Sequence, residues 1–451
     1  MGPMSAAGRL PRVFADNPAG LISYSVTFQP MTSVVRLLKP CLLALVAFLA
    51  TGCSKAEWMV RQSAMDPKGP VSQVQFDVFM ATVWLALVLF VLVGGALVYA
   101  VIRYRERAGQ ADAPPPEQGH GNPLVEIGLI MASVAALVVI AIPTLEAIWY
   151  MEEVPAERQP QSRLAAWYKG AVPAEAAEEV LTVDVIGKQW WFRFEYPQLG
   201  LTQETKRTVP NELVIPKGKV VRINLRSEDV IHSFWVPKIA GKVDLIPGRR
   251  NHMWIQADEA GHYYGQCAEF CGDSHAYMLF RVVVLEPADF AAWVESQKAP
   301  APEPAAGSLA AKGKQLFAQK TCIMCHRVAG HYEASAGFGP DLARVASRHT
   351  LAGAWLDNRD PAAQAAIDAK GNTEVSAPID PAVQRRNLHD WIGSSGILVD
   401  AAGKPLIPQD IKPGNRMHYY RMFNVAGLRE TKTTLTQDEL DAIVEYLMTL
   451  K

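Results

Sequence analysis

Two long apolar segments stand out from the pattern of hydrophobic and polar residues in the N-terminal part of the chain. The first covers residues 79–102 and the second residues 127–145. About 20 consecutive apolar residues are enough to cross the hydrocarbon core of a bilayer as a helix. Because the sequence between them is rich in arginine from Arg103 onward, we expect the connecting loop to be cytoplasmic and both chain ends to lie outside. The pattern therefore predicts a multidomain membrane protein with a transmembrane hairpin.

Short segments rich in β-branched and aromatic residues follow the hairpin. Turn residues separate them, and they comprise residues 180–186, 190–196, 213–215, 220–225 and 281–285. Several short strands with turns between them are typical of a β-sandwich. We therefore expect an all-β domain over residues 151–297, which begins with a polar loop rich in Ala, Pro and Glu.

Helical periodicity follows a Pro/Ala-rich linker at residues 298–307, whose composition is typical of a semi-rigid spacer. A helix is expected over residues 308–319. A capping box, formed by Thr436 and Glu439, predicts the start of another helix near the C-terminus. The apolar face of that helix comprises Leu440, Ile443, Val444 and Leu447. Residues 308–451 are therefore expected to form an all-α domain.

The N-terminal residues have the features of an export signal. Translation is expected to start at Met31, because a basic region and a short apolar run follow it. The run ends in a sequence similar to a bacterial lipoprotein processing site, where Cys53 would carry the lipid; an ordinary cleaved signal is the alternative. We therefore assign residues 1–52 to an extension and signal peptide, and residues 53–150 to the N-terminal segment with the hairpin.

Composition narrows the classes of function. The length of 451 residues is enough for about three domains. Because the formal net charge is -1, no nucleic-acid partner is expected. The six cysteines fall into three pairs: Cys41 and Cys53, Cys267 and Cys271, and Cys322 and Cys325. The first pair lies in an N-terminal apolar run and the other two pairs belong to motifs with their own chemistry, so no cysteine is left for a structural disulfide.

Sulfur and imidazole groups concentrate in one loop of the β domain. Cys267, Cys271, His275 and Met278 are close together in the sequence, and His232 lies upstream. Thiolates and thioethers are soft ligands that favour copper, and such a ligand set on a rigid scaffold suits electron transfer. Two thiolates can bridge two copper ions with one imidazole on each. A structural zinc or a disulfide is the alternative, although zinc would give Met278 no role.

The loop from Cys267 to Met278, with the upstream sequence that begins at His232, resembles the binuclear copper (CuA) loop of cytochrome c oxidase subunit II. The resemblance implies a cupredoxin fold for the β domain. It implies copper ligation by His232, Cys267, Cys271, His275, Met278 and the backbone carbonyl of Glu269. It also implies that the side chain of Glu269 binds a magnesium ion at the interface with subunit I.

Two other residues have roles that the resemblance implies. Trp190 corresponds to the residue at which electrons arrive from a separate cytochrome c, whereas core or interface packing is the more general role of such a side chain. Glu126, at the start of the second apolar segment, corresponds to the cytoplasmic mouth of a proton pathway into subunit I. The alternative for Glu126 is an interfacial carboxylate that reaches water.

A second redox motif opens the C-terminal domain. Cys322, Cys325 and His326 form a C-x-x-C-H sequence, which is typical of covalent attachment of c-type haem, with His326 as the proximal iron ligand. A thioredoxin-like redox pair is the alternative, but the βαβ pattern that it requires is missing. The sequence from Ile411 to Met417 resembles the loop of cytochromes c that supplies the sixth ligand. The resemblance implies Met417, with Met422 and His418 as rivals because His418 replaces an expected proline.

Together these motifs resemble subunit II of a bacterial haem-copper cytochrome c oxidase with a cytochrome c domain fused at the C-terminus. The resemblance implies that haem c and CuA relay electrons to haem a of subunit I, where oxygen is reduced to water and protons are pumped. It implies subunits I and III as partners, and a cytochrome c or a quinol–cytochrome c oxidoreductase as donor. The expected location is the bacterial inner membrane, with both soluble domains on the periplasmic side.

Other classes of electron carrier share parts of this pattern. A nitric oxide or nitrous oxide reductase with a CuA site, a quinol oxidase subunit and a stand-alone membrane shuttle are the alternatives. The hairpin with Glu126 favours an oxidase over the reductases, and the complete copper ligand set disfavours a quinol oxidase. Residues 355–382 interrupt the cytochrome-like sequence as an insertion whose purpose the sequence does not reveal.

Overall fold

The computed structural model describes residues 60–105, 114, 119, 121–155, 180–334, 338–371, 374–394, 396–415, 417 and 434–451. The expected start at Met31, the lipidation site Cys53 and the rival haem ligands His418 and Met422 lie outside the described residues. Most of the polar loop that precedes the β domain also lies outside them.

Two long helices correspond to the apolar segments, α1 (Pro70–Arg103) and α2 (Pro123–Glu152). Their mean hydropathies over 18 residues are 2.8 and 2.6, and the large apolar side chains of both are exposed. Each helix is longer than the segment predicted from hydropathy. At about 1.5 Å per residue, the 34 residues of α1 extend over about 51 Å. The helices therefore continue past the apolar segments and bring the hairpin into contact with the β domain.

The outer ends of the hairpin are fixed to the β domain. The amide of Ser72 donates to the carbonyl of Ile239, and its hydroxyl donates to the carbonyl of Lys238 at 2.8 Å. At the end of α2, the Tyr150 ring meets the edge of Trp254, with centroids 5.4 Å apart. These contacts bury the first turn of α1 against the β domain, so the orientation of that domain relative to α1 is defined.

Ten strands form the β domain. They are β1 (Leu181–Lys188), β2 (Trp191–Glu195), β3 (Val209–Pro210), β4 (Glu212–Pro216), β5 (Val221–Ser227), β6 (His232–Trp235), β7 (Lys242–Leu245), β8 (Asn251–Ile255), β9 (Gly261–Cys267) and β10 (Leu279–Leu285). One sheet has the order β3-β2-β1-β5-β8 and the other the order β4-β10-β9-β6-β7. The chain thus forms two five-stranded sheets around one apolar core, which is a cupredoxin-like arrangement.

The sequence predicted five strand segments and missed the others. Four of the missed strands are β6 to β9, of which β6 begins with His232 and β9 ends with Cys267, two of the predicted copper ligands. Their residues lack an apolar alternation, because several are glycine, histidine or lysine. Their strand structure depends on pairing with distant segments, such as Phe234 in β6 with Cys267 in β9.

Aromatic side chains fill the space between the two sheets near the loop from Cys267 to Met278. This loop carries most of the predicted copper ligands and is here called the metal loop. Phe192 and Phe280 lie 4.9 Å apart, and Phe280 stacks on Phe234 at 4.6 Å. All three side chains are fully buried. Gly265 makes room for this cluster, because a Cβ at that position would overlap the Phe280 ring. The aromatic core therefore supports the strands from which the metal loop projects.

The C-terminal domain is helical. After α3 (Pro287–Lys298), which ends the β domain, it contains α4 (Leu309–Gln319), α5 (Pro361–Asp368), α6 (Pro381–Gly393) and α7 (Gln437–Met448), with the two-residue strands β11 (Thr350–Leu351) and β12 (Leu356–Asp357). The capping box predicted at Thr436 and Glu439 is present at the start of α7. Helices α4 and α7 cross at Gly313, where a Cβ would overlap the carbonyl of Ala442. The Phe317 ring packs on Tyr446 at 5.6 Å next to this crossing.

Candidate metal and haem sites

The predicted copper ligands come from three places that the fold brings together. His232 is the first residue of β6 and Cys267 the last residue of β9, two neighbouring strands of one sheet. A loop then carries Cys271 and His275 and returns to β10 directly after Met278. Because both ends of the loop belong to paired strands, with the amide of Cys267 donating to the carbonyl of Met278, the loop is held at its base.

The sulfur and nitrogen atoms of these residues converge. The Sγ atoms of Cys267 and Cys271 are 3.8 Å apart, far beyond the disulfide length of about 2.05 Å. Nδ1 of His232 lies 3.9 Å from the first sulfur and Nδ1 of His275 lies 3.5 Å from the second. Sδ of Met278 is 3.8 Å from Cys271 Sγ. Each thiol therefore has its own imidazole, an arrangement that suits two metal ions bridged by two thiolates.

The carbonyl of Glu269 also faces this cluster, since it accepts a hydrogen bond from Cys267 Sγ at 3.3 Å. His232, Cys267, Cys271 and Met278 are all buried, with His232 and Met278 fully inaccessible to solvent. Soft sulfur donors in a water-excluded position fit copper better than a hard cation. The thioether of Met278 beside Cys271 also distinguishes the set from a closed zinc site.

The imidazole of His232 is oriented by a carboxylate. Nε2 lies 2.8 Å from Oδ1 of Asp229, and the amide of Gln189 donates to Oδ2 of the same side chain at 2.7 Å. Burial opposes the charged ring, but the hydrogen bonds to Asp229 and Cys267 outweigh it and raise the pKa of His232. A carboxylate on one nitrogen orients the other toward a metal. Nδ1 is therefore directed toward Cys267.

The two thiols are electrostatically coupled. The hydrogen bond from Cys271 lowers the pKa of Cys267 to about 4, despite burial. The pKa of Cys271 is raised, because its thiol donates the hydrogen bond to Cys267 and because it is buried. The pair therefore holds one thiolate readily at neutral pH, and a cation that binds there displaces the remaining proton.

Trp190 lies directly against the metal loop. Its Nε1 donates to the carbonyl of Cys271 at 3.0 Å, and the side chain is only 8% exposed. A loop of the C-terminal domain covers it: Nζ of Lys412 donates to the Trp190 carbonyl at 2.5 Å, and a Cβ at Gly414 would lie 3.0 Å from the indole ring. The residue predicted to receive electrons from a separate cytochrome therefore lies beneath the protein's own C-terminal domain.

Lys412 is unusual because its amine is buried in this interface. The side chain is 3% exposed, and a second hydrogen bond runs to the carbonyl of Ala352 at 3.1 Å. Burial lowers the pKa of Lys412 to about 7, although the nearby Cys271 thiol acts in the opposite direction. The amine thus joins two loops of the C-terminal domain to the segment that contacts the metal loop.

The C-x-x-C-H motif forms a compact turn after α4. Residues Cys322–Met324 make one turn of 3-10 helix, and the amide of His326 donates to the Cys322 carbonyl at 2.9 Å. Nδ1 of His326 lies 2.9 Å from the carbonyl of Pro340. A histidine whose Nδ1 is held by a carbonyl is oriented to bind a metal through Nε2. The turn and this hydrogen bond fit the attachment of haem.

The remaining predicted site residues are Met417, Glu126 and the side chain of Glu269. Met417 is half-buried, and its amide donates to Oδ1 of Asn415 at 2.7 Å. Glu126 lies exposed in the first turn of α2, where Asn122 caps the helix. The side chain of Glu269 is half-buried.

Three residues next to the site were not found from the sequence. They are Asp229, which contacts His232 three residues away, and Gln189 and Lys412, whose contacts join segments that are distant in the sequence. The spacing of Asp229 three residues before His232 was a local signal. For Gln189 and Lys412 the sequence carried no comparable signal, because their partners are backbone carbonyls of other loops.

Comparison with known proteins agrees with this architecture. Residues 181–285 match the family described as cytochrome C oxidase subunit II, periplasmic domain, and residues 310–392 match the family described as cytochrome c. Cytochrome c oxidase subunit 2 of Alkalihalophilus pseudofirmus is 30% identical over 409 residues, which cover 91% of this chain and 96% of that protein. The protein of the same name from Bacillus subtilis is 29% identical over 418 residues, with the same coverage of both chains.

A solved structure is also similar in sequence. The periplasmic domain of subunit II of cytochrome oxidase of Bradyrhizobium japonicum is 40% identical, with a TM-score of 0.24, and the match covers 26% of this chain and 93% of that one.

The fold and the two candidate sites define a membrane protein in which a two-helix hairpin carries a cupredoxin-like domain and a cytochrome c domain. Its relatives match over nearly their whole length, hairpin and both domains included. The chain belongs to the cytochrome c oxidase subunit II family, and it is an electron-transport subunit of a cytochrome c oxidase with a fused C-terminal cytochrome c domain.

Proposed function

We propose that this subunit relays single electrons from a covalent haem c to a binuclear copper centre, and from there to haem a of subunit I. The observation that carries the proposal is the pair of thiols 3.8 Å apart, each with its own imidazole. Copper in such a site supplies rapid one-electron transfer when it is bound. The residues implied as ligands are His232, Cys267, Glu269 through its carbonyl, Cys271, His275 and Met278.

The chain's own residues prepare the site for that role. Asp229 orients the His232 ring, and Gln189 and Trp190 donate to the carbonyl of Cys271, so hydrogen bonds of the chain itself hold the loop in place. A buried ligand set on a rigid scaffold suits electron transfer. The aromatic core excludes water from one side of the site.

The haem site is proposed to involve Cys322 and Cys325 as thioether attachments, His326 as proximal ligand and Met417 as sixth ligand. Methionine and histidine ligation raises the reduction potential of a haem. The donor is proposed to be a cytochrome c or a quinol–cytochrome c oxidoreductase. Because Trp190 is covered, electrons are proposed to reach the copper domain from the attached cytochrome domain.

The remaining roles concern the complex. Subunits I and III are the proposed partners, with oxygen reduction and proton pumping occurring on subunit I. The Glu269 side chain is proposed to bind magnesium at that interface and Glu126 to lie at a proton pathway. The proposed location is the bacterial inner membrane, with residues 151–297 and 308–451 as two periplasmic domains joined by the linker 298–307.

Metal and haem analysis of the full-length protein in detergent tests the proposal. We expect two coppers and one covalent haem per chain, and an EPR hyperfine pattern of one electron shared by two equivalent coppers. The variant Cys271→Ser should lose the shared pattern and keep the haem, whereas Cys322→Ser should retain copper and disturb haem attachment. A single copper, a zinc or no metal in the wild-type protein would refute the copper relay.

A further inference from the structure

The insertion at residues 355–382 lies between the two soluble domains. Apart from residues 372 and 373, it is described throughout, and it contains β12, α5 and the start of α6. The surface that the insertion contacts is here called the receptor face. It belongs to the segment before α1 and to the β domain, which carries the proposed copper site and is called the copper domain below. The receptor face comprises Arg61, Asp66, Lys238, His262, Tyr264 and Arg281.

A buried ion cluster joins the insertion to the receptor face at Lys238. Nζ of Lys238 donates to Oε1 of Glu374 in the insertion at 2.5 Å and to Oδ2 of Asp66 at 2.6 Å. The side chain of Lys238 is 2% exposed, and both carboxylates are 13% exposed. A buried charge needs partners in a definite geometry, because an uncompensated one is strongly unfavourable. This cluster therefore holds the side chain of Glu374 in a defined position next to Lys238.

The backbone next to this cluster is hydrogen-bonded to β9. The amide of His262, in β9, donates to the carbonyl of Glu374 at 2.8 Å. Gly261 makes the approach possible, since a Cβ there would lie 2.8 Å from the Cβ of Glu374. The insertion thus contacts the first residues of β9, the strand that ends in Cys267, one of the proposed copper ligands.

A second cluster surrounds Tyr264, two residues further along β9. The guanidinium of Arg281 stacks 3.7 Å from the centre of its ring, and Arg359 of the insertion donates to its hydroxyl at 2.5 Å. Arg61 donates to the same hydroxyl at 3.1 Å and pairs with Asp368 of the insertion.

The two surfaces have complementary charge. The receptor face contributes the cations Arg61, Lys238 and Arg281 against the carboxylate of Asp66. The insertion contributes the carboxylates Asp357, Asp368 and Glu374 against the cation Arg359. The receptor face alone therefore has an excess of positive charge, and the insertion has the matching excess of negative charge.

We propose that residues 355–382 are an internal docking element, which keeps the cytochrome domain in one orientation on the copper domain while electrons pass. The statement about electrons rests on the proposed function, whereas the docking itself does not. Because the domains are tethered, docking occurs at an effective concentration on the order of mM, so this interface stays formed. The rate of electron tunnelling falls steeply with distance. A fixed orientation therefore gives a constant rate of electron transfer, whereas a cytochrome domain that detaches must diffuse back before it can transfer an electron.

Charge reversal at the centre of the interface tests the proposal. Glu374→Lys in the full-length protein places two ammonium groups together and should release residue 374 from β9. The matched control is Glu286→Lys, which reverses one partner of the exposed pair between Lys217 and Glu286 in the copper domain. Hydrogen exchange of peptides that contain His262 reports docking directly and needs neither metal nor haem.

We expect Glu374→Lys to accelerate exchange at His262 by roughly tenfold or more, and Glu286→Lys to leave it unchanged. Exchange in β1, which lies in the other sheet of the same domain, should be unchanged in Glu374→Lys, which separates lost docking from general misfolding. Equal exchange at His262 in the wild type and Glu374→Lys, or exchange accelerated equally throughout the β domain, would overturn the docking proposal.

Electron transfer provides the second measurement on the same samples, after their copper and haem contents have been determined. In the wild type, the rate from haem to copper should be independent of added glycerol. In Glu374→Lys it should fall in proportion to viscosity, because the domain must then find its position by diffusion. A viscosity-dependent wild-type rate would also contradict a fixed orientation. Absence of copper with normal protection at His262 would instead refute the proposed function and leave the docking intact.

Discussion

We expect the substitution Gly187→Ala to weaken the proposed copper site although it removes no ligand. Gly187 lies in β1 beside the imidazole of His232. A Cβ at this position would lie 2.6 Å from Cδ2 and 3.0 Å from Cγ of that ring, and 3.2 Å from a methyl group of Leu245. Carbon atoms in contact are normally about 3.5–4.0 Å apart, so the ring must move by roughly 1 Å.

The ring has little space to move. His232 is fully buried, and its Nε2 is held by Asp229 at 2.8 Å. Overpacking a close-packed interior costs about 1–3 kcal/mol. Disturbing the groups that orient a metal ligand typically lowers metal affinity by about 10- to 100-fold. We therefore expect both a moderate loss of stability and a loss of copper affinity in this range.

The assay is a chelator titration of the full-length protein, followed by copper analysis and EPR, with thermal unfolding measured in parallel. The control is Gly200→Ala, where φ is 69° and no neighbouring atom lies within 4 Å of the added Cβ. A side chain in that left-handed conformation costs about 1–2 kcal/mol, so the control loses stability in the same domain without touching a ligand.

Two results would refute the reasoning. If Gly187→Ala retains copper as tightly as the wild type while its stability falls, His232 does not bind the metal. If Gly200→Ala loses copper to the same extent, the loss reflects stability of the domain and says nothing about the ligand.

Three further changes test other parts of the chain. Met417→Leu should lower the reduction potential of the haem in a redox titration, and an unchanged potential would assign the sixth position to another residue. Gly313→Ala should destabilise the cytochrome domain by about 1–3 kcal/mol in thermal unfolding, because the added Cβ overlaps the Ala442 carbonyl; unchanged stability would show that the helices can separate there. Burial raises the pKa of Asp357, but hydrogen bonds and charge from Arg359 outweigh burial and bring the pKa below its usual value. The ionised carboxylate therefore stabilises the fold above about pH 4, and this contribution is lost as the pH falls through the lower pKa of the folded state. The protection factors of amides at the interdomain interface should therefore fall as the pH drops below about 4, and Asp357→Asn should reduce that fall.

The features that could be predicted from the sequence are those with a short-range physical cause. Hydropathy alone located both helices of the hairpin, because a spanning helix must be apolar over its whole length. The helix start at Thr436 was predicted because a capping box is complete within four residues. The spacings of the Cys and His motifs led to the copper and haem predictions in the same way.

Other features were invisible because they depend on contacts between distant segments. Strands β6 to β9 have little intrinsic strand preference and form by pairing across the sheet. Lys412 becomes a neighbour of Trp190 and of the metal loop only after folding. The insertion has no recognisable pattern of its own, because its partners are charged groups on another domain.

The sequence by itself thus determined the kinds of chemistry in this protein and the order of its domains, since ligands, helix caps and membrane spans are encoded within a few neighbouring residues. Only the tertiary structure decided how these parts face one another. It placed two sulfur atoms 3.8 Å apart, covered Trp190 with the loop of Lys412, and paired the charged groups of the receptor face with those of the insertion. The last two arrangements join residues more than a hundred positions apart, and packing and charge pairing are what bring such residues together.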